Sequence, residues 1–263
     1  MTFSVGFALI AFTVMLLPAP MRADEWTKQW AVSGKPDLHI EADDASITIE
    51  AGSGNEVTAL VQTRGISIGG SGLRVIEHQS GNRVDLEVRQ PSSHFNFGMR
   101  SIEVRVKAPQ DLMADVHTGD GSVKLEGLRG SLRIGTGDGS IQGEDLDGAL
   151  EAHTGDGSLH IRGRFDMLRV KTNDGSVDVQ AQSGSQIRSD WRVETGDGSV
   201  HLGVPRNLSA DVELRTGDGS IHTDLPVTMN GSHSEHEVHG KINGGGPLID
   251  VKTGDGSIIL SAL

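Results

Sequence analysis

The residues best placed to do chemistry are seven aspartates carried by a recurring pentapeptide. Thr-Gly-Asp-Gly-Ser begins at Thr118, Thr136, Thr154, Thr195, Thr216 and Thr253, and Thr-Asn-Asp-Gly-Ser begins at Thr172. The acids are therefore Asp120, Asp138, Asp156, Asp174, Asp197, Asp218 and Asp255. If equivalent positions stack, neighbouring carboxylates stand about 4.8 Å apart. Two charges at that separation repel by about 1 kcal/mol even in a water-like dielectric. An oxygen-ligated cation such as calcium would relieve the repulsion, which makes Asp120, Asp138, Asp156, Asp174, Asp197 and Asp218 the candidate metal residues. The competing reading is structural, since Asp before Gly builds turns by bonding its own backbone two residues on. Calcium-binding β-rolls carry an acidic Gly-rich unit on both turns of a coil. Here the opposite turns, Leu128-Arg129-Gly130 and Leu146-Asp147-Gly148, do not match that unit. No cofactor other than calcium is implied.

Histidines form a second set. His160, His201 and His222 share the outward position after the motif with Lys124, Gln142 and Asp178. His201 and His222 follow consecutive motifs and would stand about 5 Å apart in a regular stack. Such a pair could bind a transition metal, although a polar solvent face is the favoured reading of the column. His233, His236 and His239 are spaced by three, which does not match a helical His-x-x-x-His pair, and strand parity separates His233 from His236. Glycoside hydrolysis needs two carboxylates at a set separation, which stacked acids can supply. Aromatics are only 3%, however, and a sugar platform within the repeats would fall to Trp191, in the Ser183 to Arg192 insertion. The pentapeptide is no phosphate loop, because no Lys follows it and it recurs seven times in β-context.

The elements that must position these residues are short strands. The first four motifs start 18 residues apart, and the later intervals are 23, 21 and 37. After the motifs, Val123 and Leu125, Leu159 and Ile161, Val177 and Val179, and Val200 and Leu202 alternate with Lys124, His160, Asp178 and His201. That is the period of a half-buried strand. A second alternating segment precedes each motif, as in Leu132 and Ile134 or Leu168 and Val170. Each 18-residue unit thus holds two strands and two turns, and a fixed period favours stacked parallel coils over a hairpin meander. The motif threonine is expected to point inward and bond adjacent coils, and Gly121 and its equivalents to turn a tight corner with φ > 0. The longer intervals read as 18-residue coils with loops inserted at one corner. Upstream, Leu38 to Ile40, Ser46 to Glu50, Val57 to Gln62, Leu73 to Ile76, Arg83 to Arg89 and Ser101 to Lys107 keep the strand texture, while Ser92 to Met99 reads as a loop. Trp26 and Trp30 are expected to cap the open end, as solenoid ends require.

Bulk properties agree with a thin, repetitive β-structure. Apolar residues make up 35% of the 263, there are 36 Gly, and there is no Cys, which excludes disulfides, zinc-thiolate sites and Cys nucleophiles. The apolar run Phe3 to Leu17, followed by Pro18, Pro20 and a small-residue cleavage point after Ala23, suits a secretory signal. No Lys or Arg precedes the run, so an uncleaved anchor is the alternative. The net charge of −13 disfavours nucleic acid and anionic lipid as partners.

The exported N-terminus, the early strand Asp44-Ala45-Ser46-Ile47-Thr48-Ile49, the strand end Val106 to Pro109, the serial pentapeptides, and Ile242 to Pro247 before a final coil resemble a bacterial family of adhesin-like exported β-helix proteins. That family is catalogued largely as a domain of unknown function, and the resemblance covers about residues 36–263. It implies a right-handed β-helix, an envelope or extracellular location, and no established catalysis. The expectation is an all-β, single-stranded right-handed parallel β-helix (solenoid) with 18-residue coils. Residues 1–23 are read as a signal peptide, 24–116 as irregular first coils and 117–263 as the regular solenoid, continuous with them. The expected role is a non-enzymatic adhesin or cell-envelope scaffold for an envelope or extracellular ligand, with no membrane insertion after signal cleavage. A calcium-dependent binding module or a carbohydrate-active β-helix enzyme are the alternatives.

Overall fold

The computed structural model describes residues 23–91, 100–229 and 234–263. The expected signal segment (apart from Ala23), the expected loop at 92–99 and His233 lie outside the described residues. Every regular element among the described residues is a β-strand. No helix there is long and apolar enough to cross a membrane. The chain opens with β1 (Ala23–Ala31), β2 (Asp37–Ala42), β3 (Ser46–Gly52) and β4 (Glu56–Arg64). Next come β5 (Arg74–Ser80), β6 (Arg83–Arg89) and β7 (Ser101–Pro109). The regular repeats give β8 (Asp111–Thr118), β9 (Val123–Glu126), β10 (Arg129–Thr136), β11 (Ile141–His153), β12 (Leu159–Lys171) and β13 (Val177–Ala181). Then follow β14 (Trp191–Thr195), β15 (Val200–Val204), β16 (Ala210–Asp218) and β17 (Ile221–Thr223). The remainder is β18 (Val227–Met229), β19 (Glu237–Ile242), β20 (Leu248–Asp255) and β21 (Ile258–Ala262).

Two parallel ladders run the length of the stack. In space the first reads β6, β2, β8, β10, β11, β12, β14, β20, β16. The second reads β7, β3, β9, β11, β12, β13, β15, β21, β17. The long strands β11 and β12 serve both, turning the corner at register shifts near Gly143/Leu146 and Gly148/Ala149. Through the regular repeats, partners stand one repeat apart: Leu132 pairs with Ala114 and Leu150, and Ile141 with Val123 and Leu159.

This register puts like on like. Val123, Ile141, Leu159, Val177, Val200 and Ile258 form one buried aliphatic column. Val116, Ile134, Ala152, Val170, Val193, Val251 and Leu214 form another on the opposite ladder. Most outward neighbours in the alternation are polar, as in Asp178 and Gln180 between Val177, Val179 and Ala181. A coil alone cannot bury its apolar row; only stacking does.

The spatial order departs from chain order at both ends. The coil made by β20 and β21 sits between the coil of β14 and β15 and that of β16 and β17. The coil of β2 and β3 likewise sits between β6/β7 and β8/β9. The interval of 37 residues is therefore no corner loop. It holds β18 and β19, which pair antiparallel with each other and place β19 against β16, before the chain returns into the gap. At the other end β5 pairs antiparallel with β6, and β4 with both β7 and β1. Trp30 is buried there, Trp26 packs beside it at 6.2 Å between ring centroids, and Trp30 Nε1 donates to Glu77 Oε2 at 3.0 Å. The tryptophans thus close that end.

Candidate functional site

At the motif corner the structure gives each residue type a task. Every motif threonine is buried. Thr136 Oγ1 lies 2.8 Å from both Gly119 O and Gly121 O of the preceding coil, and Thr172 Oγ1 lies 3.0 Å from Gly155 O and Gly157 O. The single hydroxyl proton is donated to one of two stacked carbonyls. The glycine after the aspartate is explained differently from the expectation. φ is positive at Gly219 and Gly256, at 150° and 159°, but not at Gly121, Gly139, Gly157, Gly175 or Gly198. Instead, a Cβ on Gly139 would overlap the Gly121 carbonyl, and one on Gly157 the Gly139 carbonyl. Glycine is required because backbones stack too closely for any side chain.

The candidate acids Asp120, Asp138, Asp156, Asp174, Asp197 and Asp218 are all exposed along this corner, as is Asp255. Asp255 pairs with Asp218 and its N–H donates to Gly196 O at 3.0 Å, so it separates Asp218 from Asp197. No group of three or more Asp, Glu or His side chains converges on a metal-sized point among the described residues.

The outward histidine column is also reordered. Ile259 lies between His201 and His222, so these two are not neighbours. His201 instead joins a polar line across coils, with Nε2 2.9 Å from Ser261 Oγ and Nδ1 3.7 Å from Asp178 Oδ1. The residue types are those of a hydrolytic relay, but the backbone beside the hydroxyl cannot supply an oxyanion hole. Ala262 N–H donates to Asp224 Oδ1 at 2.7 Å and Leu263 N–H to Val204 O at 2.9 Å. His160 borders an open depression with Gln142, Arg162 and Asp178. His236 is exposed, and His239 Nε2 lies 2.9 Å from Glu237 Oε1. Trp191 is wholly buried and offers no sugar platform.

The outer face of the first ladder carries the densest chemistry. Charges alternate from coil to coil: Arg133 contacts Asp115 at 3.8 Å and Glu151 at 3.5 Å, and Arg129 contacts Asp111 at 3.9 Å and Asp147 at 3.3 Å. Further along, Asp250 is buried between Arg192 at 3.2 Å and Lys252 at 2.9 Å. Among these rungs His117, Gly135 and His153 occupy one column on three successive coils. With no side chain on Gly135, the two imidazoles lean over it to 5.9 Å between ring centroids, tilted by 49°. Desolvation first, and then the neighbouring His117, hold the His153 imidazole below its ordinary pKa. Next to His153 a solvent-open depression of about 290 Å³ is bordered by Glu151, Arg169, Lys171, Arg192 and Glu194. Sequence reasoning centred on the motif missed this pair. Its signal was the 18-residue step from 117 to 135 to 153, in which a strand glycine stands between two histidines.

No curated protein matches the chain. Among solved structures it is similar to a candidate cell adhesion protein from Clostridium sporogenes, at 12% identity, covering 91% of this chain and 100% of that one with a TM-score of 0.43. It is also similar to a candidate adhesin from Parabacteroides merdae, at 10% identity over 91% and 96% of the two chains with a TM-score of 0.47. A candidate lipid-binding protein from Parabacteroides distasonis matches at 14% identity over 90% and 96%, with a TM-score of 0.48. The family itself rests on a family model, described as Toastrack DUF4097, that matches residues 103–261. That span covers more than half of the chain and bears out the resemblance to a domain of unknown function read from the motifs. The chain belongs to the Toastrack DUF4097 family.

Proposed function

We propose that this chain is an exported, non-enzymatic solenoid that serves as an adhesin-like or cell-envelope binding scaffold. On this reading the coils wind right-handed in 18-residue turns, and the partner is an envelope or extracellular ligand. The observation that carries the proposal is the outer face of the first ladder, where paired charges continue from coil to coil and one solvent-open depression spans β11, β12 and β14. An extended, rigid, polar surface suits recognition of another surface, whereas catalysis calls for preorganised groups in a water-excluded site. The apolar run ahead of the solenoid supports export. The adhesin and lipid-binding descriptions of similar structures point toward binding as well.

Cell fractionation and envelope cross-linking test this directly. The protein should be recovered from the periplasm, envelope or medium, cross-linked to a partner there. Recovery as a cytosolic species with its first 23 residues intact would sink the proposal. A polysaccharide panel should show no turnover, and hydrolysis of any member would replace scaffold by enzyme. The exposed acidic corner favours calcium as a second reading. Melts in calcium and in sodium at equal ionic strength separate the two effects, because sodium only screens the stacked charges. A calcium-specific rise in Tm is expected only if the corner coordinates the ion.

A further inference from the structure

We propose that His117 and His153 form a two-imidazole clip for a divalent transition cation, seated over the bare Cα of Gly135. The register aligns the three residues on successive coils, with Glu41 beyond His117 and Lys171 beyond His153 in the same column. Gly135 alone leaves a notch in that column. A methyl group placed on Gly135 would lie 2.6 Å from His117 Nδ1 and 2.7 Å from His153 Nε2. His117 Nδ1 and the Cε1–Nε2 edge of His153, whose Cε1 lies at 2.6 Å, therefore border the same point, and a turn of the His153 ring brings Nε2 forward to the zinc–imidazole bond length of about 2.0–2.1 Å. Small χ rotations of two half-exposed side chains close the difference.

The back of the clip is also built. His117 Nε2 lies 2.9 Å from Asp115 Oδ1. That carboxylate oxygen is buried and has no hydrogen bond of its own. The contact is close without being aligned as a hydrogen bond, and the charge of the carboxylate favours the proton on Nε2, which leaves the Nδ1 lone pair directed to the notch. Carboxylate–imidazole–metal arrangements of this kind fix the tautomer and raise ligand basicity. Arg133 holds the other oxygen of Asp115 at 3.8 Å and bridges to Glu151, so the carboxylate is oriented from both sides. Imidazole donors select copper(II), nickel(II) and zinc over calcium, with copper bound most tightly. The remaining coordination positions open to solvent, where water or a donor atom of a bound partner completes the shell. The clip goes beyond the scaffold reading and does not depend on export.

The test uses untagged full-length protein freed of metal. Calorimetric titration with copper(II), nickel(II), zinc and calcium should show one transition cation bound per chain and no heat from calcium at this site. His117→Ala and His153→Ala should each weaken binding by more than about tenfold, and Asp115→Asn by about tenfold. Gly135→Ala keeps both histidines but fills the notch, and it should abolish binding while leaving the metal-free melt unchanged. Binding that survives in Gly135→Ala would overturn the seat. A combined His233→Ala, His236→Ala, His239→Ala variant should bind like the parent. Loss of binding in that variant, or its retention in the His117→Ala, His153→Ala double variant, would overturn the proposal. Broadening of the His117 and His153 resonances by copper(II) reads the site in the unaltered protein, and broadening confined to other histidines would sink it.

Discussion

Gly157 and Thr154 show how the pentapeptide works residue by residue. A Cβ on Gly157 would overlap the Gly139 carbonyl, which the stack holds in place and which cannot retreat. Thr154 Oγ1 lies 3.1 Å from Gly137 O and 2.8 Å from Gly139 O, and it accepts from Gly157 N–H at 3.3 Å. Gly157→Ala should therefore cost about 3 kcal/mol, the upper end for overpacking. Thr154→Val keeps the shape but leaves buried polar groups unpaired, at about 1–3 kcal/mol. Ser176→Ala, at the exposed motif serine of the next coil, should stay within about 0.5 kcal/mol, as surface changes do. Urea unfolding of the three variants checks the ranking. The aspartate of the motif is exposed throughout the column.

Among the elements, the end strands β1 and β5 carry the clearest pH dependence. Glu77 on β5 accepts from Trp30 Nε1 at 3.0 Å and from Lys28 Nζ at 3.1 Å, both on β1. These two hydrogen bonds, the one from Trp30 first, hold its carboxyl below the usual glutamate value. A carboxylate lowered on folding stabilises the protein above its unfolded pKa, and that stability is lost as pH falls through the folded pKa. Acidification below the normal glutamate range should thus loosen the tie between β1 and β5. Trp30, tilted against Trp26, is the natural fluorescence reporter. In Glu77→Gln the acid transition of the tryptophan signal should shrink or disappear; an unchanged transition would assign it to other groups.

On the scale of the whole molecule, the interleaved coil order makes residues 248–263 a wedge. Both β20 and β21 are bonded on each edge, to β14 and β16 on one ladder and to β15 and β17 on the other. In a stack that follows chain order, removing an end coil shortens the solenoid and leaves the rest standing. Here, removal would detach β16 to β19 and bare two strand edges at once, which invites edge-to-edge association. Truncation after Pro247 should therefore give an aggregating protein with a broad, lowered melt. A soluble truncated protein with the parent's Tm would contradict this order. Closing the wedge also demands pairings distant in sequence, a feature that slows folding.

Read residue by residue, the sequence determined the strands, the all-β class and the inward and outward faces, because alternation and turn chemistry are local. Leu38 to Ile40, Ser46 to Glu50 and Arg83 to Arg89 were legible as strands for that reason. The early Asp44 to Ile49 segment was legible as a motif relative, and Ile47 indeed pairs with Val123. Which coil lies on which was decided only in three dimensions. The step of 18 predicts neighbours while the chain advances coil by coil, but nothing local marks where it skips a place and returns to fill it. That is why His201 and His222 looked adjacent and prove to be divided by Ile259. The histidine clip has the same origin. His117 and His153 stand two coils apart, and only the missing side chain on the coil between lets the two rings meet.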